Sequence, residues 1–128
     1  MDDILKTMDL DFLGMGQHKI TPENFLEKGD RIFLDVRAKE EVETLRFDFK
    51  YFGIETIHIP INELPDSLHL LPKDKLIGTF CCTGTRSAWA FLYLLSKDYV
   101  VRWIDADNET LTALLKPGFI FHRLNKRG

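Results

Sequence analysis

The sequence predicts an α/β domain with a mostly parallel central sheet of about five strands and helices on both faces. Two observations carry this. Short apolar runs (Ile32 to Val36, Thr56 to Ile59, Leu76 to Phe80, Val100 to Ile104) alternate with segments of helical spacing, such as Ala88, Phe91, Leu92 and Leu95. No repeat, low-complexity stretch or linker divides the 128 residues, so residues 1–128 read as a single domain, with 1–16 as an N-terminal helical extension.

Each element has a local reason. Ile4, Leu5, Met8 and Phe12 place apolar residues on one face of a short helix over Asp2 to Leu13, ended by Gly14 and Gly16. Lys19-Ile20 reads as a brief edge strand. Thr21-Pro22-Glu23 is a helix start, with a capping hydroxyl, a proline at the first helical position and an early acid; that helix runs through Phe25 and Leu26 and stops by Gly29. Ile32 to Val36 is a buried strand and Glu40 to Leu45 a short helix, while the aromatic-rich Phe47 to Phe52 resists assignment. Thr56 to Ile59 is a strand halted by Pro60, and Asn62 to Leu70 holds a short helix or two broken turns. Leu76 to Phe80 is the central strand. Beyond it Ala88, Phe91, Leu92 and Leu95 form one buried stripe, Val100 to Ile104 is the last strand, and Asp107 or Asn108 caps a helix through Leu111, Leu114 and Leu115. Phe119-Ile120-Phe121 reads equally as a strand or a packed tail.

The chemistry concentrates in Cys81-Cys82-Thr83-Gly84-Thr85-Arg86-Ser87, which holds every cysteine of the chain. A cysteine that closes a buried strand and precedes a turn and a helix lies where helix-end amides converge, and those N–H groups stabilise a thiolate or hold an anion. Gly84 permits a turn that a Cβ would penalise, and Arg86 adds a permanent positive charge. The spacing is Cys-x4-Arg from Cys81 and Cys-x3-Arg from Cys82. Neither is the Cys-x5-Arg ring that encircles phosphate in cysteine-dependent phosphatases. A tighter loop suits a persulfide, whose outer sulfur accepts hydrogen bonds from the surrounding amides. Cys82 reads as a filler of the loop wall.

Cys81, Gly84, Arg86 and Ser87, as Cys-x-x-Gly-x-Arg-Ser, resemble the active loop of the rhodanese-like sulfurtransferases. Ile32-Phe33-Leu34-Asp35-Val36-Arg37, with the acidic stretch Lys39 to Glu43 behind it, is similar to that family's second-strand signature, and Ile57-His58-Ile59-Pro60 to its middle segment. The landmarks run from about Ile20 to Ile104, and the chain departs from the family after its last strand, where Asp105-Ala106-Asp107-Asn108 replace the usual Gly-Gly and aromatic. The resemblance implies a three-layer rhodanese-like fold, Cys81 as the catalytic sulfur carrier, and Cys82, Thr83, Gly84, Thr85, Arg86 and Ser87 as the loop that binds substrate. It implies Asp35 and Arg37 as buttresses of that loop. A small sulfur-containing anion or a protein persulfide is the expected partner, with a sulfur-acceptor protein beside it, and no cofactor.

Composition narrows the alternatives. A net charge of −3 gives no reason to expect nucleic acid. Apolar stretches such as Trp89 to Leu95 fall short of a bilayer span, and the acidic Met1-Asp2-Asp3 start is unlike a secretory signal, so the expected location is cytoplasmic. Adjacent cysteines cannot staple a fold. His18, His58, His69 and His122 are scattered, so they read as hydrogen-bonded bystanders and no metal site is expected.

Overall fold

The structure, a computed structural model, describes residues 2–14, 16 and 18–117. The Phe119-Ile120-Phe121 segment and His122 lie outside the described residues. Among the described residues five strands form one sheet: β1 (Lys19–Ile20), β2 (Ile32–Asp35), β3 (Glu55–His58), β4 (Ile77–Phe80) and β5 (Val101–Ile104), in the order β1-β5-β4-β2-β3. Every pairing is parallel, which places all carboxyl ends along one rim. The register sets Asp35 level with both Phe80 and His58. β4 is therefore central, as its apolar run predicts, and Cys81 emerges at the middle of the rim.

The α-helices are α1 (Asp2–Thr7), α2 (Leu10–Gly14), α3 (Pro22–Leu26), α4 (Lys39–Thr44), α5 (Thr85–Ser96) and α6 (Asn108–Leu114). The single helix expected over Asp2 to Leu13 is two. Asp9 breaks it by accepting from the Phe12 amide at 2.9 Å, capping a new helix instead of continuing the old one. Thr21 caps α3 through the Asn24 amide, and Asp107, rather than Asn108, caps α6 through the Thr110 amide. Asn62 to Leu70 resolves into two 3₁₀ segments, Ile61–Asp66 and Leu68–Leu70.

Two apolar layers cover the sheet. On one face Ile32, Leu34 and Ile77 meet Ala90, Phe91 and Leu94 of α5, with Met8 and Phe12 of the N-terminal extension packed against them. On the other, Phe33 and Phe80 meet Phe25, Leu111 and Leu114 together with Phe47, Phe49 and Phe52. The unassigned aromatic stretch is thus the lid of the second layer: Phe33 and Phe49 ring centres lie 4.8 Å apart, and Phe47 meets Phe80 edge-on at 5.5 Å. Gly78 of β4 faces this layer; an added Cβ would lie 2.5 Å from Phe25 and 2.6 Å from Ile104.

The stripe predicted for α5 needs correction. The fully buried positions are Ser87, Ala90, Phe91 and Leu94, while Leu92 and Leu95 are only partly buried and packed at the edge of the same layer. The helix is rotated because its first turn is fixed by a polar contact: Thr79 Oγ1 of β4 donates to the Ser87 carbonyl at 2.9 Å. Hydrophobic spacing alone carries no information about that bond.

Candidate active site

Alternation along β4 sends Phe80 to the aromatic layer and Cys81 to the α5 face. The chain then turns back on itself through Gly84, whose φ of +85° is the left-handed region, and enters α5. The turn wraps the sulfur. Cys81 Sγ accepts from the Gly84 amide at 3.1 Å and the Ser87 amide at 3.3 Å, and Ser87 Oγ lies 3.5 Å away. Only 1% of Cys81 is exposed. Burial pushes its thiol pKa up, but the hydroxyl of Ser87 and the amides of Ser87, Thr83 and Gly84 outweigh burial, leaving it below the ordinary value. The sulfur is thus held ready to carry negative charge.

Arg86, whose position in sequence suits meeting substrate and bracing the loop alike, faces α4. Its guanidinium makes a two-pronged pair with Glu41 of α4, Nη1 to Oε2 at 2.6 Å and Nη2 to Oε1 at 2.8 Å. Glu41 Oε2 also accepts from the Ala38 amide at 2.7 Å. The Arg86 bond holds the Glu41 carboxyl down at about 2 and moves the Arg86 guanidinium pKa up. Arg86 thereby ties the first turn of α5 to α4 and braces the loop. Glu41 is the site residue that sequence reasoning missed; its signal was the acidic stretch Lys39 to Glu43, which carries no hint of which acid reaches Arg86. Cys82 Sγ sits beside this pair, 3.8 Å from Glu41 Oε1 and 3.9 Å from Arg86 Nη2, so the two cysteine side chains serve different surroundings. Thr83 and Thr85 are exposed on the outer side of the turn.

Asp35 and Arg37 do not touch the sulfur. They form a fully buried pair, Arg37 Nε to Asp35 Oδ1 at 2.9 Å and Nη2 to Oδ2 at 2.7 Å. The same Nη2 donates to the Leu45 carbonyl at 2.7 Å, and the guanidinium stacks on Phe47 and Phe80 at 5.1 and 5.5 Å. His58 donates from Nε2 to the Arg37 carbonyl at 2.8 Å. This network fixes the end of β2 and the residue just before Cys81, which is a supporting position. His18 corrects the expectation of a hydrogen-bonded bystander. Its Nδ1 is buried with no hydrogen-bond partner among the described residues, its ring lies near those of Phe12 and Trp103, and burial lowers its pKa.

A shallow cavity of about 320 Å³ opens beside the loop, lined by Cys82, Thr83 and Gly84 and by Trp103, Asp105, Ala106, Asp107 and Thr110. A Cβ on Gly84 would lie 3.2 Å from the Trp103 indole, so the glycine allows loop and cavity wall to close together. Among the described residues no group of three His, Cys, Asp or Glu side chains is arranged to hold a metal ion, and no helix is long and apolar enough to cross a membrane.

Sheet, rim and wrapped cysteine define the class: a parallel α/β domain whose central strand ends in a loop that wraps a cysteine sulfur. No family model matches the chain. It is 32% identical over 65 residues to a tRNA sulfurtransferase of Psychromonas ingrahamii, and 37% identical over 70 residues to that of Shewanella piezotolerans. Those stretches are 51% and 55% of this chain but only 13% and 14% of the relatives' length. A crystal structure of a protein from Lactobacillus plantarum superposes with a TM-score of 0.67 at 22% identity, over 91% of this chain and 98% of that one. A rhodanese-like domain protein from Staphylococcus aureus superposes with a TM-score of 0.60 at 23% identity, over 73% and 89%. The chain has the rhodanese-like fold, the architecture that its loop and strand signatures imply.

Proposed function

We propose that this domain is a sulfurtransferase that carries sulfane sulfur as a persulfide on Cys81. The observation that carries the reading is the wrapped sulfur: Gly84 and Ser87 amides point at Cys81 Sγ from a turn that opens a helix. In the first half-reaction the Cys81 thiolate attacks the outer sulfur of a donor, the donor's S–S bond breaks, and Cys81 becomes a persulfide. In the second a nucleophilic acceptor takes that sulfur and the thiolate returns. Ser87 has a role in both. Its hydroxyl donates to the Gly84 carbonyl at 3.0 Å and lies within reach of Cys81, so its proton can swing to the sulfur whenever that atom is charged. The similarity to sulfurtransferases over half the chain supports the same chemistry.

The donor class proposed is a polysulfide or a protein persulfide, ahead of thiosulfate, since Arg86 spends its charge on Glu41. The same pairing argues against phosphatase chemistry, which needs a guanidinium aimed at the loop centre. A second reading, a rhodanese-like binding or redox-sensing module, draws on the near-complete burial of Cys81. Mass spectrometry after incubation with polysulfide decides between them. Gain of one sulfur atom on Cys81, lost again on adding a thiol, is the expected result; a protein that never gains sulfur is a binding module.

A further inference from the structure

We infer that the cavity beside the loop selects the sulfur acceptor, and that it favours a small thiol bearing an ammonium group, with Asp105 and Asp107 as the specificity-determining residues. The inference rests on the sulfurtransferase reading and deepens it. Loop and cavity share a wall, so an acceptor approaching the loop's outer side at Thr83 and Gly84 lies against Trp103, Asp105, Asp107 and Thr110. No cationic side chain is among the cavity's lining residues. Asp107 caps α6, its Oδ1 accepting from the Thr110 amide and hydroxyl at 2.8 Å each, with the Glu109 amide also favouring its charged form. Asp105 meets Lys19 at 3.7 Å across an open surface, a contact that solvent weakens. The one guanidinium of the loop is neutralised by Glu41. Two carboxylates, an indole and a hydroxyl are a set suited to an ammonium, which is drawn to charge and ring face alike. They repel an anionic thiol.

The step balances without an outside oxidant. The acceptor thiolate, R–S⁻, attacks the outer sulfur of Cys81–S–SH; the bond between the two persulfide sulfurs breaks, and Cys81 leaves as thiolate with R–S–SH as product. An ammonium held near Asp105 and Asp107 keeps the thiolate of the same small molecule within reach of the loop.

The test uses the whole chain, loaded with sulfur by polysulfide and verified by mass. Cysteamine, 2-mercaptoethanol and 3-mercaptopropionate, matched in size but carrying a positive, no and a negative charge, are compared as acceptors by kcat/KM per thiolate. Cysteamine is expected to exceed 3-mercaptopropionate by about tenfold, the scale of two exposed ion pairs. Asp105→Asn with Asp107→Asn should bring the ratio close to one. Asparagine serves as an N-cap as well as aspartate does, so α6 keeps its cap. Raising the salt concentration on the wild type should shrink the ratio too. A loaded protein that serves all three thiols alike, or whose preference survives the double substitution, overturns the acceptor assignment and leaves the sulfur carrier standing. A protein whose Cys81 never takes up sulfur overturns both.

Discussion

At the scale of the residue, Cys81 and Cys82 are neighbours in sequence with separate surroundings. Cys81 is enclosed by amides, whereas Cys82 lies against the Glu41–Arg86 pair. Cys81→Ser is therefore expected to abolish sulfur transfer to cyanide, and Cys82→Ser to keep most of it; a dead Cys82→Ser with an active Cys81→Ser would reassign the carrier. The acidity of Cys81 rests on Ser87 and the loop amides acting against burial. Its alkylation rate should reach half-maximum at a lower pH than that of an unperturbed thiol assayed beside it. Ser87→Ala should move that midpoint upward, because it removes a donor to the thiolate and leaves the burial. An unmoved midpoint would transfer the effect to the amides alone.

At the scale of the element, the Glu41–Arg86 pair joins α4 to the start of α5, two segments far apart in sequence. The Glu41 carboxyl is depressed to about 2, so its contribution to stability is fully present above the ordinary carboxylate range and is lost as pH falls toward 2. Glu41 and Arg86 are partly exposed, so Glu41→Gln should cost no more than about 1 kcal/mol. Its effect should vanish in acid, where the wild type loses the same pair; thermal melts of both proteins between pH 7 and pH 2 check this. The elements differ in how well the sequence announces them. Thr21-Pro22 and Asp107 declare helix starts because capping is local chemistry. Asp9 is as local but sits inside an unbroken apolar pattern, so it reads as part of one helix. The rotation of α5 and the choice of Glu41 as Arg86's partner depend on contacts between separate elements, Thr79 of β4 with Ser87 across the turn and α4 with α5. Spacing along one segment holds no record of them.

At the scale of the whole molecule, the parallel sheet and the place of the cysteine were legible from the apolar runs, because strands buried on both faces leave a mark in composition. The aromatic layer was not, since Phe47, Phe49 and Phe52 follow no single period and are organised by Phe33 and Phe80 from below. That layer should dominate stability. Phe33→Ala is expected to cost about 3–5 kcal/mol. Gly78→Ala should cost about 1–3 kcal/mol despite adding only a methyl, since Phe25 and Ile104 must give way. Urea denaturation measures both, and a neutral Gly78→Ala would show the layer to be looser than its geometry implies.

The outermost strand β1 pairs with β5, the last of the described strands to be made. During synthesis Lys19 and Ile20 leave the ribosome well before their partners Trp103 and Ile104. The sheet cannot close in the order in which it is translated. The first segment must wait, loosely held, while β2, β3 and β4 assemble beside one another. Contacts so distant along the chain slow folding, and an unpaired strand is a point where two nascent copies can stick together. A bystander chaperone would find its opening during that interval.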